Sequence, residues 1–472
     1  MSSPHDLADC TATELLRLFR TAQASPVEAT QAVLARIAAL DPVLNAFCVV
    51  DAERALASAR ASEARWRNHA PQDLLDGVPV SIKDLILTRG WPTLRGSRTI
   101  DPHQAWDVDA PATARLREAG AVLLGKTNTP EFGIKGTTDN WLTGITRNPW
   151  NTKLTPGGSS GGAAAAVASG MGPLALGTDG AGSIRIPSTF CGIPGIKPSF
   201  GRVPAFPLSP FGTVAHLGPH ARSVEDLALM LTVISRPDAR DWTSLPFDPR
   251  DYRIGLADGV RGLKVAFSPN LGYVRNVDSE VAADVRAAAL TFEALGAHVD
   301  EIDPGFADPE EITTKLWFVG SMTIVGTLSA EQLVLTDPAL RWQAAEGRKV
   351  SVSELQSLNV RRGEMGSSMR QFHERYDLLL TPGVSVPPFE AKAPDEWTLS
   401  LERFLGWTPF SYPFNLTQQP AAVVPCGRTS GGLPISLQIV GPMHGDALVL
   451  RAARAFESSR DWKLPVVPAL AT

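Results

Sequence analysis

The sequence predicts an α/β fold in which a mixed, largely parallel β-sheet core is covered by helices, and three stretches carry that expectation. The run DGVPVSIKDLI from Asp76 alternates like a strand, AGAVLLGK ending at Lys126 reads as a second buried strand, and PATARLREA from Pro111 lies between them as a helix. The same strand, helix, strand order returns in GLKVAF (262–267), a helix over 279–295 and AHVDE (297–301), which implies parallel or mixed pairing. The most apolar stretch, GGAAAAVASGMGPLAL (161–176), is broken by Gly and Pro and is shorter than the ~20 residues of a membrane span. It reads as a buried helix followed by a core strand.

The other elements follow in order. From Thr11 the apolar residues fall at helical spacing, with Ser25 as N-cap and Pro26 as first helical residue of a second helix. Residues 1–70 are therefore expected to be a helical segment packed on the sheet, and 71–260 the catalytic core. The more polar, mostly helical stretch 309–375 is expected to be an insertion that shapes a substrate pocket. AAVVPCG, LPISLQIVG and a helix from Asp446 to Glu457 bring the chain back to the sheet. No linker divides the sequence, so residues 1–472 read as a single domain with no internal repeat.

Composition narrows the function. With 44% hydrophobic and 20% charged residues the chain has the make-up of a globular protein with a sizeable core. Its 44 basic and 49 acidic residues give a net charge of −5 and form no cationic block, which argues against nucleic acid as a partner. Cys10, Cys48, Cys191 and Cys426 are far apart and unpaired in sequence, so neither a disulfide scaffold nor a thiolate metal site is indicated. The opening MSSPHDLADCTATELL is polar and acidic, unlike a secretory leader, and points to the cytoplasm without membrane attachment.

The chemistry concentrates in two glycine-flanked serine loops, TPGGSSGG around Ser159 and GTDGAGSIR around Ser183. Glycine allows close backbone approach to a ligand and positive φ. A nucleophilic serine needs a proton acceptor and N–H donors aimed at a developing oxyanion, and the Gly180-Ala-Gly-Ser183 turn offers consecutive amides. None of the eight histidines lies in these motifs. Lys83, set in the apolar VPVSIKDLI, is the better base, because burial lowers a lysine pKa toward neutrality. A Ser–Ser–Lys relay is complete without histidine, metal or cofactor.

These motifs resemble the amidase signature family through VPVSIKD, LLGKTNTPEFG, TRNPWNTKLTPGGSSGGAAAAVASG, LGTDGAGSIRIPSTFCGIPGIKPSFGRVP and LPISLQIVG, which together span most of the chain. The resemblance implies that Ser183 is the nucleophile, Ser159 the proton relay and Lys83 the base. It places the oxyanion hole at the amides of Gly180, Ala181, Gly182 and Ser183. It also implies a cis peptide between Gly158 and Ser159, and loop-bracing roles for Asp179 and Arg185. The implied reaction is hydrolysis of a C–N amide bond of a small to medium, apolar or aryl substrate, with esters and carbamates open to the same acyl-enzyme route. A homodimer is compatible with this reading.

Each residue also has a plainer role. A lone GGSSGG occurs in linkers and phosphate-cradling turns, but here Gly162 leads into alanines rather than the Lys-Ser or Lys-Thr of a P-loop. Without its context Lys83 reads as a strand-end residue and Asp84 as a surface partner. Ser160 either joins the Lys83 network or braces the turn. Lys126, Thr127, Asn128, Thr138, Asp139 and Asn140 either line the cleft or brace loops. His216 and His220 read as partly buried loop residues, and Trp141, Phe190, Trp407, Phe410 and Tyr412 as core or pocket aromatics. Two other functions stand beside the hydrolase. One is the glutamine-hydrolysing component of a tRNA-dependent amidotransferase, against which PFNLTQQPAAVV differs from the expected small-residue run. The other is a catalytically silent scaffold.

Overall fold

A computed structural model describes residues 6–400, 404–465 and 467; the polar opening at residues 1–5 lies outside them. Two helices begin the chain, α1 (Ala12–Arg20) and α2 (Pro26–Leu44), and each starts with a capping box, Thr11 with Glu14 and Ser25 with Glu28. Next come β1 (Phe47–Val50) and α3 (Ala52–Arg67), so the N-terminal segment expected to be helical also supplies a strand. Phe47 and Val49 face partners on β3 in antiparallel pairing, which places β1 at one edge of the sheet.

The predicted strand, helix, strand unit is β2 (Pro79–Lys83), α4 (Pro111–Glu118) and β3 (Val122–Thr127), with β2 and β3 parallel. A short ribbon of β4 (Asp139–Asn140) and β5 (Gly144–Ile145) precedes the small-residue helix α5 (Gly161–Ala168), which is buried along its whole length. Apart from Val167 its side chains are no larger than a methyl group, which lets it pack against the sheet, and a short turn leads from α5 into the core strand β6 (Leu174–Asp179). Then follow α6 (Arg185–Cys191), β7 (Gly195–Lys197), β8 (His216–Ala221) and α7 (Val224–Ile234).

The second predicted unit is β9 (Lys264–Phe267), α8 (Ser279–Ala294) and β10 (His298–Glu301), again a parallel pair. Four helices come next, α9 (Glu310–Val325), α10 (Ala330–Leu333), α11 (Pro338–Gly347) and α12 (Val352–Phe372). The chain returns through β11 (Leu378–Pro382), β12 (Ala421–Arg428) and β13 (Pro434–Val440) to the helix Asp446–Ser458.

One mixed sheet of eleven strands results, in the order β1-β3-β2-β6-β8-β7-β12-β13-β11-β9-β10. Its parallel runs, β3-β2-β6 and β11-β9-β10, flank antiparallel pairings in the middle. Helices cover both faces, so the central strands are buried at nearly every position rather than at alternate ones. Lys83 ends β2 and Asp179 ends β6, and these strands are parallel neighbours. Both loops that leave them at their carboxyl ends therefore open on the same edge of the sheet, where ligand crevices of open α/β sheets form. No described helix is long and apolar enough to cross a membrane.

Candidate active site

Lys83 closes β2 fully buried, and its Nζ reaches three hydroxyl oxygens: Ser159 Oγ at 2.7 Å, Thr178 Oγ1 at 2.8 Å and Ser160 Oγ at 2.9 Å. Burial holds its pKa well below the ordinary lysine value, and the carboxylate of Asp179 only partly opposes this. The Ser160 hydroxyl donates to the Thr178 carbonyl at 3.1 Å, so toward Lys83 it accepts. A neutral amine has two N–H groups and one lone pair. With the N–H groups on Ser160 and Thr178, the lone pair is free to accept the Ser159 proton.

The Ser159 loop is locked from behind. The peptide between Gly158 and Ser159 is cis, and a Cβ at Gly158 would stand 2.5 Å from the Thr137 carbonyl oxygen. Ser160 precedes α5, but its hydroxyl is engaged with Lys83 and caps no helix amide. Thr138 Oγ1 accepts the Gly161 amide at 3.1 Å instead, and the Asn128 carbonyl accepts that of Gly162 at 3.3 Å. These two residues do the capping that the serine gives up.

Ser183 lies on the turn between β6 and α6, with its hydroxyl on the cavity that Ser159 also lines. Asp179 shapes this turn by accepting the amides of Gly182 at 2.7 Å and Ile184 at 3.2 Å. Gly182, at φ +125°, thus turns its N–H to a carboxylate and drops out of the expected oxyanion set. The amides of Gly180, Ala181 and Ser183 meet no acceptor among the described residues. Arg185 holds Asp179 with two hydrogen bonds of 3.0 Å and reaches Asn415, Gln438 and the Ser411 carbonyl. Burial alone would raise the Asp179 pKa, but the Arg185 guanidinium holds it well below the usual carboxylate range. The pair fixes the turn, as the loop-bracing expectation has it.

A family model described as Amidase matches residues 28–450. The chain belongs to the amidase signature family. It is 39% identical over 460 residues to an acylamidase of Rhodococcus erythropolis, covering 96% of this chain and 95% of that one. It is 37% identical over 484 residues to a glutamyl-tRNA(Gln) amidotransferase subunit of Myxococcus xanthus (strain DK1622), covering 97% and 98%. Among solved structures, a bacterial aryl acylamidase of the amidase signature family superimposes with a TM-score of 0.89 at 33% identity, covering 98% of both chains. A 6-aminohexanoate cyclic dimer hydrolase in complex with substrate gives 0.88 at 30% identity, covering 98% and 99%.

In this amidase signature enzyme the cavity beside Ser183 measures about 630 Å³, the size of a small-molecule site. For the aromatics near the motif loops, left open between core and pocket, the structure does not give the pocket reading. Phe190, Phe410 and Tyr412 are buried in the core, Trp407 stacks on Phe190, and none of them, nor Trp141, lines the cavity. Phe132, Phe200, Phe206, Phe211 and Trp317 line it instead. Trp317, from α9, stacks on Phe211 with ring centroids 4.0 Å apart and lies over Gly180, where a Cβ would meet its ring at 2.8 Å.

The remaining candidates are braces. Lys126 and Asp84 form a buried pair, 3.6 Å apart, rather than a surface one. Asn128 donates to the Asn45 carbonyl, Asp139 pairs with Lys135, and Asn140 donates to the Thr129 carbonyl. His216 and His220 sit on β8, not in a loop, and burial holds both pKa values down, that of His220 to about 3. Sequence reasoning passed over Thr178, a polar residue on a core strand within the nucleophile motif, and that position alone was a usable signal. It also passed over Trp317 and Arg95, which reach the cavity from segments whose sequence carries no motif.

Proposed function

We propose that the chain hydrolyses the C–N bond of a small to medium amide with an apolar or aryl body, through an acyl-enzyme on Ser183. The observation that carries this reading is a buried, neutral-leaning Lys83 bonded to Ser159, which lines the same cavity as Ser183.

Ser183 Oγ attacks the carbonyl carbon, and its proton passes to Ser159 as the Ser159 proton passes to Lys83. The tetrahedral oxyanion is met by the free amides of Gly180, Ala181 and Ser183. As the C–N bond breaks, the proton returns through Ser159 to the leaving nitrogen, which departs as an amine. Water then adds to the acyl-enzyme by the same proton route, releasing the carboxylic acid and restoring Ser183. Esters and carbamates present the same carbonyl and fit the same cycle. The similarity to an acylamidase and an aryl acylamidase, together with the aromatic cavity wall, supports an aryl body.

The similarity to the amidotransferase component favours a second reading, partner-dependent release of ammonia from glutamine. Incubating the chain alone with acyl anilides, aliphatic amides, carbamates, p-nitrophenyl esters and glutamine, beside Ser183→Ala, separates the two. Anilide turnover that Ser183→Ala abolishes is the expected result. Silence of the chain alone on every compound, or on all but glutamine, would transfer the assignment to the second reading, and substantial hydrolysis by Ser183→Ala would remove Ser183 as nucleophile.

A further inference from the structure

The cavity that holds Ser183 is apolar over most of its wall, yet one cation in it forms no ion pair with a described residue. Three of its lining residues have acidic or basic side chains: Arg95, Asp241 and His216. Asp241 is engaged within the protein, accepting the Ala205 amide at 2.8 Å, the Thr243 amide at 2.8 Å and the Thr243 hydroxyl at 2.6 Å. His216 is held neutral by burial, with its Nδ1 on the Val214 carbonyl at 2.7 Å. Arg95 is different. Its half-buried guanidinium makes no hydrogen bond and no ion pair with any described residue. The carboxylate whose charge acts on it, Asp84, is shared with the Lys126 ammonium 3.6 Å away and with the Gly96 amide at 3.3 Å. An arginine stays protonated at any working pH, so this is a standing, partly desolvated positive charge.

The backbone around it is built to hold that position. Arg95 has φ +56°, a left-handed conformation that a side-chain-bearing residue adopts at a cost of about 1 kcal/mol, and Gly96 follows at φ +62°. A Cβ at Gly96 would lie 2.6 Å from the Thr129 carbonyl oxygen, and the Arg95 carbonyl accepts the Phe132 amide at 2.8 Å. Strained backbone that presents one unpaired polar group to a cavity is characteristic of ligand sites.

We propose that Arg95 is a specificity-determining residue that binds a carboxylate on the substrate, so that the preferred amides are monoanions with an apolar body. The inference rests on the hydrolase reading of the same cavity and names its substrate class. Planar guanidinium matches a carboxylate through two parallel hydrogen bonds, and the apolar surroundings strengthen the pair. A zwitterion such as glutamine fits less well, because its α-ammonium would have to leave water for a largely apolar cavity whose one carboxylate, Asp241, is already shared among three donors.

Two substrate pairs test this, with the charge on either side of the scissile bond: N-acetyl-4-aminobenzoate against N-acetyl-4-nitroaniline, and glutaric mono-4-nitroanilide against pentanoic 4-nitroanilide. In at least one pair the ratio of kcat/KM for the anion to that for the neutral partner should fall tenfold or more in Arg95→Met, with Arg95→Lys recovering part of it. Unchanged ratios in both pairs would overturn the inference. Calorimetric binding of the same compounds to Ser183→Ala, with and without Arg95→Met, reads the anion site apart from turnover. Arg95-dependent binding of the anion there sustains the inference even if the hydrolase reading fails, while equal binding of both partners, or tighter Arg95-dependent binding of glutamine than of either anion, refutes it.

Discussion

The Ser160 amide donates to the Ser183 carbonyl at 3.2 Å, so the loop that presents Ser159 and the turn that presents Ser183 are joined by a backbone hydrogen bond. The same Ser160 accepts from Lys83 through its hydroxyl and donates to the Thr178 carbonyl. One small residue therefore fixes the distance between the two serine loops and one of the positions of the lysine amine.

Ser160→Ala keeps the amide contact and removes the hydroxyl. Lys83 loses one of three partners, and the Thr178 carbonyl loses a donor. A hydrogen bond to a charged or strongly polarised group contributes about 1.5–3 kcal/mol, which in a rate corresponds to roughly 10- to 100-fold. We expect kcat to fall within that range while KM changes little; a variant with wild-type kcat would reduce Ser160 to a turn brace.

Lys83→Ala should depress kcat/KM by about 10²- to 10⁴-fold, the usual contribution of a positioned general base. In the proposed mechanism the active form is the neutral amine, so wild-type activity should fall as pH drops through the lowered lysine pKa, and this acid limb should vanish in the variant. Stability carries the same signature. A base whose folded pKa lies below its unfolded value binds more protons unfolded, so its contribution rises with pH between the two values. The pH slope of Tm across the neutral to alkaline range should therefore be smaller in Lys83→Ala than in wild type. A common slope would mean that Lys83 stays protonated in the fold.

Much of this site was readable because the chemistry sits in short contiguous motifs. TPGGSSGG and GTDGAGSIR each place a serine among glycines, and VPVSIKD puts a lysine where a strand must be buried, so three residues could be named without knowing how the chain folds. The strand, helix, strand units were legible for a similar reason, since pairing of β2 with β3 and of β9 with β10 is set by local order. What stayed hidden depends on distant packing. Phe47–Val50 is too short to register as a strand until β3 lies beside it. Gly182 has the same glycine character as Gly180, and only the Asp179 carboxylate beneath the turn separates their amides. Trp317 meets Gly180 from a helix far along the chain, a contact no local pattern encodes.

Asp179→Asn tests the turn itself. The carboxylate now serves the Gly182 and Ile184 amides and the Arg185 guanidinium together, and an amide cannot accept at both ends. Arg185, fully buried, would lose its counter-ion, a change that destabilises by about 3–5 kcal/mol. We expect a marked drop in Tm together with a fall in kcat of about 10²-fold or more, as the amides of Gly180, Ala181 and Ser183 lose their common alignment. Full kcat in a folded variant would show that the turn holds its shape without the pair.

Glu131 joins the sheet to the helices beyond residue 309. Its carboxylate accepts the Ser97 hydroxyl at 2.6 Å and the Asp337 amide at 2.5 Å, at the start of α11. Burial pushes its pKa up to about 7, against the lowering effect of those two donors. An acid with a raised folded pKa binds more protons folded than unfolded, so its stabilising contribution is complete below the unfolded value and is lost as pH rises through about 7. Glu131→Gln cannot ionise, and comparing it with wild type at each pH cancels the effect of other buried acids such as Asp226, which is raised to about 6. The Tm of wild type relative to Glu131→Gln should decline between pH 5 and pH 8. A constant difference would mean that the carboxylate is already ionised at the acid end, held so by Lys135, whose ammonium lies 2.6 Å from Asp337.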